Sequence, residues 1–225
     1  MQNLKIPNSI NSAIPAMPRD LAIKYISDMR SNVIQKGADL ASDTFEKSYM
    51  ASINEEFKKL GVKVKSKTKN KINTQLLEPI LEGLLTSKNA DLELPKIVRF
   101  KKGLKSQDIK LGGAFSPWFP WRILINPDVP SNSIPRITIH ETIHKNDKKR
   151  NSSKLIDIFT NNQSMLSQYF WLEFDRYAIS SRDEFIAHIA TEVLSQKNGW
   201  ANLSDETCLK NLYRKLEGPK LKLPE

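Results

Sequence analysis

The stretch IPRITIHETIHKND, residues 134–147, contains the helix around which the rest of the chain is interpreted. Ser133, directly before it, is a good N-cap residue, and Pro135 is tolerated in a first helical turn. Isoleucines recur along one side of the stretch, and polar residues occupy the other side. The sequence therefore predicts a helix over residues 134–147 with a half-buried face.

This helix carries the pattern HExxH, with His140 and His144 as its two histidines. On a helix these two residues lie one turn apart on the same face, so their imidazoles can fill two corners of a tetrahedral zinc site. Glu141 then lies beside the open corner, where it can take a proton from a zinc-bound water. Asp147 lies on the same face and is expected to hydrogen-bond to a ligand histidine.

A catalytic zinc needs a third protein ligand, for which a second predicted helix, 181–196, offers three alternatives. Glu184, His188 and Glu192 lie along one edge of this helix, one turn apart. Ser181 and Glu184 form a capping-box pattern, which gives Glu184 a structural role, and Glu192 could orient His188. His188 is therefore the preferred third ligand, with Glu184 and Glu192 left open.

Length and composition favour one globular domain. The chain has 225 residues, of which 39% are hydrophobic, and this is enough to bury a core without disulfides or metal. Its one cysteine, Cys208, excludes an internal disulfide. No apolar run is long enough to span a membrane. Residues 1–17 are predicted to be a flexible leader, and they lack the apolar segment of a secretory signal. The folded domain is expected over residues 18–225.

The remaining elements follow from hydrophobic periodicity and turn residues. Pro79 is expected to bend or divide one helix, and the aromatic, proline-rich loop 116–121 is expected either to line a groove or to cap the core. Helices are predicted at 19–34, 38–60, 72–85, 153–174 and 204–216, and extended segments at 62–65, 96–101, 109–115 and 122–126.

The net charge of +10 would suit an anionic partner, although the favoured interpretation is a solvated basic edge that resists aggregation. Lysines alternate at 63, 65, 67, 69 and 71, after Lys58 and Lys59, and a second basic cluster covers residues 148–150. Nucleic acid, an acidic protein or anionic lipid would each suit such a surface. Nucleic acid is not favoured, because no recognised binding motif and no interleaved aromatic residues accompany the lysines.

Three segments together carry a family resemblance: ILINP at 123–127, HETIHKND at 140–147, and YAISSRDEFIAH at 177–188. They resemble zincin metallopeptidases, in particular the anthrax lethal factor-like toxins and the small zinc proteases that bacteria inject into host cells. The resemblance covers residues 122–195, about a third of the chain. It departs from the family at His188, which stands where the family has a glutamate ligand.

The resemblance implies an α+β, zincin-like single domain, mainly helical, with a small mixed sheet whose edge strand precedes the HExxH helix. It implies a zinc-dependent endopeptidase with one Zn²⁺, in which Tyr177 hydrogen-bonds to the oxyanion and an extended protein substrate pairs with the edge strand 122–126. An effector or toxin secreted into a host cell without a signal peptide would fit, and the chain would otherwise be cytoplasmic. The alternative is a basic binding module with a structural or vestigial zinc site and no hydrolytic activity.

Overall fold

The computed structural model describes residues 18–36, 42–66, 74–106, 109–169, 177–196, 199–203 and 206–223. These residues form seven α-helices and six short strands, with two 3₁₀ turns at Ser131–Ser133 and Gly199–Asn202. The helices are α1 (Pro18–Lys36), α2 (Ser42–Lys59), α3 (Thr74–Asn89), α4 (Ile134–Asn146), α5 (Ser153–Leu166), α6 (Arg182–Ser195) and α7 (Glu206–Lys215). The strands are β1 (Lys63–Ser66), β2 (Ile97–Phe100), β3 (Lys105–Ser106), β4 (Ile109–Lys110), β5 (Gly113–Phe115) and β6 (Arg122–Ile125).

Four strands form one mixed sheet in the order β1-β2-β6-β5. Strands β1, β2 and β6 are parallel, and β5 is antiparallel to β6. Strand β6 therefore has a neighbour on each side, so the expectation that residues 122–126 form the edge of the sheet is wrong. The edge strand next to β6 is β5. Its three residues, Gly-Ala-Phe, are too few to show an alternating pattern in the sequence.

The extended segment predicted at 109–115 is two strands, not one. Strand β4 pairs with β3 in a small separate ribbon, and β5 pairs with β6 in the main sheet. The loop 116–121 then joins β5 to β6 as a tight connection. Trp118 in this loop is 86% exposed, so the loop does not simply cap the core.

Helix α4 contributes to both hydrophobic clusters of the fold. Ile139 and Ile143 are buried with α5, α6 and α7, and Ile134 is buried with α1, α2, α3 and the sheet. On the α3 side the approach is close: a Cβ atom at Gly83 would lie only 2.7 Å from the carbonyl oxygen of Pro135. Packing on both sides holds α4 rigidly, as a site built on one helix requires.

The prediction of a single α+β domain, mainly helical with a small mixed sheet, is confirmed. Gly61 has φ 69°, as the glycine that ends α2 should, and α3 continues through Pro79 without division. None of the described helices is long and apolar enough to cross a bilayer. Three predicted features lie wholly or partly outside the described residues: the leader 1–17, the lysines at 67, 69 and 71, and residues 170–174 of the predicted helix 153–174.

Candidate metal centre

Two helices present the ligand side chains of a candidate metal site. Helix α4 carries His140 and His144 one turn apart, as the motif predicts. Helix α6 begins at an extended Ser181, whose hydroxyl accepts a hydrogen bond from the backbone N–H of Glu184 at 3.2 Å. This cap sets the start of α6, so the Glu184 carboxylate lies in the first turn of the helix and faces the two histidines.

The three side chains form a compact triangle. His140 Nε2 lies 3.1 Å from His144 Nε2 and 3.1 Å from a Glu184 oxygen, and His144 Nε2 lies 3.4 Å from the other oxygen of Glu184. Ligands of a tetrahedral zinc, with bonds of about 2.05 Å, are about 3.3 Å apart. The donor set and its spacing therefore fit a metal ion held by two imidazoles and one carboxylate.

The third member of this cluster is Glu184, one of the alternatives that the sequence left open, and not the preferred His188. His188 lies one helical turn further along α6, and its Nε2 is 3.9 Å from Glu192, while Glu192 forms an ion pair with Arg136. Helices α4 and α6 pack so that the first turn of α6 supplies the third member of the cluster, whereas His188 in the second turn lines the same pocket. The capping-box pattern favoured a structural role for the Glu184 side chain, but the hydrogen bond to Ser181 comes from the Glu184 backbone N–H, and the carboxylate faces the histidines.

Burial and hydrogen bonds between the three side chains shift their pKa values and so set their charges. Burial lowers the pKa of His140 to about 4, despite its hydrogen bond with Glu184, so this imidazole is neutral at pH 7. Burial alone would raise the pKa of Glu184, but hydrogen bonds from His140 and His144 outweigh it and hold that pKa well below its usual range. Burial alone would lower the pKa of His144, but its hydrogen bond with Glu184 and the charge of Glu141 outweigh burial and raise that pKa. The neutral His140 beside the ionised Glu184 is in the protonation state in which these groups bind a metal.

Glu141 is the buried acid of the site. The residue is only 6% exposed, and this burial raises the pKa of its carboxyl to about 7. The backbone N–H of Phe115 donates a hydrogen bond to it, which ties the carboxylate to the edge strand β5. Gly113 in the same strand has no side chain, and this leaves space for the Glu141 carboxyl. A Cβ atom at this position would lie only 2.8 Å from a Glu141 oxygen. A carboxyl with a pKa near 7 can exchange a proton at neutral pH.

Tyr177 reaches the same cleft. It lines the pocket with the ligand residues and hydrogen-bonds to Glu184, although 37% of the residue is exposed. Burial of the hydroxyl, together with the negative charge of Glu184, raises the pKa of the phenol, so Tyr177 is a proton donor at any physiological pH. The structure thus brings together His140, Glu141, His144 and Tyr177 and adds Glu184, with His188 in the wall of the same pocket.

Asp147 has a different role from the one expected. It does not serve a ligand histidine. Its two oxygens accept hydrogen bonds from the guanidinium of Arg182 at 2.5 and 3.2 Å, in a pair that is almost fully buried. This pair joins the end of α4 to the first residue of α6. Sequence reasoning missed both Arg182 and Arg150, which also lines the cleft, because an arginine in a charged stretch looks solvent-exposed.

Metal binding is expected to depend on Glu184 and not on His188. Glu184→Gln removes an anionic ligand but keeps the backbone N–H that caps α6, so retention of one divalent metal per chain should fall by at least about 10-fold. His188→Gln, on the same helix and in the same pocket, is the matched control and should retain the metal. Metal content after dialysis against a chelator measures both variants, with circular dichroism as a check on folding. Equal loss in the two variants would contradict this ligand set.

No family model, curated protein or solved structure was found to match the chain. The class of site is thus defined by its own geometry: a partly buried cluster of two histidines and one glutamate that could hold a metal ion, with a buried acid beside it.

Proposed function

We propose that this protein is a zinc-dependent endopeptidase whose zinc ligands are His140, His144 and Glu184. The observation that carries this proposal is the ligand triangle together with the buried carboxyl of Glu141 on the same helix face. Two imidazoles and one carboxylate with an open fourth position are a ligand set of catalytic zinc, whereas structural zinc sites are closed by a fourth side chain. Within the residues that the structure describes, the cluster has three members.

The residues around the cluster suit hydrolysis of a peptide bond. Bound zinc supplies a Lewis acid that polarises the scissile carbonyl and makes water nucleophilic near neutral pH. Glu141 takes the proton of the attacking water and then delivers it to the leaving amine, because its buried carboxyl lies beside the two histidines on the same helix. Tyr177, protonated and within hydrogen-bonding reach of Glu184, donates a hydrogen bond to the oxygen that becomes negative in the transition state.

An extended substrate would pair with β5, and not with residues 122–126. Gly112 and Asn126 are hydrogen-bonded partners, and Ala114 faces Leu124. In an antiparallel pair the hydrogen-bonding direction alternates, so the N–H and C=O groups of Gly113 point away from β6 toward the open edge. This edge borders the cleft that contains the cluster. A peptide added there as an extra strand would run past Glu141.

Gly113→Ala tests the importance of this edge. A Cβ at Gly113 would lie 2.6 Å from Ile137 and 2.8 Å from a Glu141 oxygen, so Glu141 must move. We expect kcat/KM on a peptide to fall by about 10- to 100-fold, because small displacements of a reacting group are costly. Metal content should change little, since neither neighbour is one of the proposed ligands, while the overpacking should cost about 1–3 kcal/mol of stability. Unchanged kcat/KM would mean that the approach of β5 to Glu141 does not matter for turnover.

The proposal is tested by mapping new protein N-termini in a cell lysate treated with zinc-loaded protein. Wild type, the same protein stripped of metal, and Glu141→Gln are compared. New termini that appear only with zinc-loaded wild type support an endopeptidase. Zinc retention without any cleavage, combined with salt-sensitive binding to nucleic acid, would favour the basic binding module instead. Delivery into a host cell as an effector or toxin stays a prediction of the resemblance.

A further inference from the structure

We propose that the cleft selects substrate segments with an acidic side chain beside the scissile bond, and that Arg150 binds that carboxylate. This inference names a substrate class for the proposed endopeptidase and rests on that function. Arg150 lies in the turn between α4 and α5 and lines the same pocket as Glu141, Tyr177 and Glu184.

Arg150 is held in place by two contacts at the rim of the cleft. Its Nε donates a hydrogen bond to Asp183 at 3.0 Å, and its guanidinium carbon lies 5.4 Å from the centre of the Phe115 ring. The side chain is thereby fixed between the first turn of α6 and the edge strand β5. A pre-oriented guanidinium loses little freedom on binding a ligand, so its hydrogen bonds contribute fully to selectivity.

The donors of Arg150 exceed the acceptors around it. A guanidinium has five N–H groups in a planar fork, and Asp183 accepts from Nε alone. Nη1 of Arg150 is buried and makes no hydrogen bond to any residue that the structure describes. A buried donor without an acceptor is costly, and a carboxylate is the acceptor that a guanidinium binds best. A substrate carboxylate at this end of the cleft would supply it.

Three acidic side chains at the cleft already have partners, and so do two of its three lining cations, Arg136 and Arg150. Glu184 contacts both histidines, Glu192 is paired with Arg136, and Asp183 binds Arg150. Lys110, which also lines the pocket, forms no ion pair within the described residues. Bound metal would add further positive charge to the cleft. An acidic peptide is therefore attracted to the cleft, and the net charge of +10 adds to this attraction.

The experiment uses mixtures of short peptides in which one position at a time is fixed as Asp, Asn, Glu or Gln, while the others are degenerate. Cleavage by zinc-loaded wild type should favour the acids over their amides by about 10- to 100-fold at one position next to the cleaved bond. Arg150→Gln should abolish this preference. Arg150→Lys, which keeps the charge beside Asp183 but has no planar fork, should reduce it without loss of stability.

Lys148→Gln is the matched control. Lys148 is exposed on the same turn and does not line the pocket, and its substitution changes the net charge by the same amount as Arg150→Gln does. It should keep the full preference. If Lys148→Gln reduces the preference as much as Arg150→Gln does, long-range charge and not Arg150 is responsible, and the inference fails. Cleavage of acidic and amide peptides at equal rates would also overturn it, while leaving the endopeptidase itself intact.

Binding is measured separately so that the two proposals can fail independently. Fluorescence anisotropy on the zinc-loaded Glu141→Gln protein compares a labelled peptide carrying Asp with the same peptide carrying Asn, and the same comparison is made after Arg150→Gln. One outcome is that the acidic peptide binds more tightly in a way that depends on Arg150 while wild type cleaves none of the mixtures. This pair of results would support the acidic selectivity and reject the endopeptidase. Equal affinity for the two peptides would reject the selectivity.

Discussion

Glu141→Gln is expected to lower the rate of peptide hydrolysis by about 10²–10⁴-fold, the typical contribution of a positioned general base. The substitution keeps the size of the side chain and one acceptor oxygen, so the hydrogen bond from the Phe115 backbone persists. It removes the group that accepts the proton. The three side chains proposed as ligands are unchanged, so metal content is expected to equal that of wild type.

The environment of Glu141 explains why this side chain should matter so much. The carboxyl is buried beside the cluster, and burial raises its pKa to about 7, so an acid and a base form are both available near neutral pH. An exposed surface glutamate has no such property. Glu55→Gln, at an exposed position on α2, makes the same chemical change without access to the cleft and should leave turnover unaffected.

The measurement is single-turnover cleavage of a mapped peptide, with metal analysis and thermal unfolding of each variant alongside. If Glu141→Gln cleaves the peptide as fast as wild type while it retains zinc, the proposed mechanism is wrong. If it loses metal, Glu141 supports the ligand set and the variant no longer isolates the role of the base.

Arg182→Met is expected to lower the free energy of unfolding by about 3–5 kcal/mol, the typical cost of leaving one buried charge without its partner. The side chain of Arg182 is 1% exposed and that of Asp147 is 2% exposed. The same guanidinium donates a hydrogen bond to the carbonyl oxygen of Leu216 at 2.6 Å. One side chain thus joins the end of α4, the start of α6 and the segment after α7.

A double variant separates the charge effect from the packing effect. Arg182→Met with Asp147→Leu removes both charges, and it should be more stable than Arg182→Met alone, because apolar replacement of a whole buried pair is often nearly neutral. A residual loss of about 1–3 kcal/mol is expected, because the Leu216 carbonyl stays without its donor. Urea denaturation of the three proteins measures these differences. A loss below about 1 kcal/mol for Arg182→Met would show that water replaces the pair at little cost.

Local patterns predicted the helices and the histidine pair of the site. The pitch of a helix is constant, so HExxH places His140 and His144 on one face in any fold that keeps the helix, and α4 was expected within one residue of its observed end. Ser181 likewise marked the start of α6, because a cap is an interaction between neighbouring residues. A single α+β domain also followed from the pattern of elements.

The third member of the candidate cluster, the edge strand and the charged contacts were decided by tertiary structure alone. Glu184 and His188 share one edge of α6, and only the position of α6 along α4 determines which of them lies closest to the histidines. The hydrophobic periodicity of the sequence is the same for either position, so it cannot predict the choice. Strand β5 lies at the edge because of how the sheet is ordered, and its three residues carry too little pattern to reveal it. Arg182 finds Asp147 because packing removes water from both, so the pair forms only when the helices have come together.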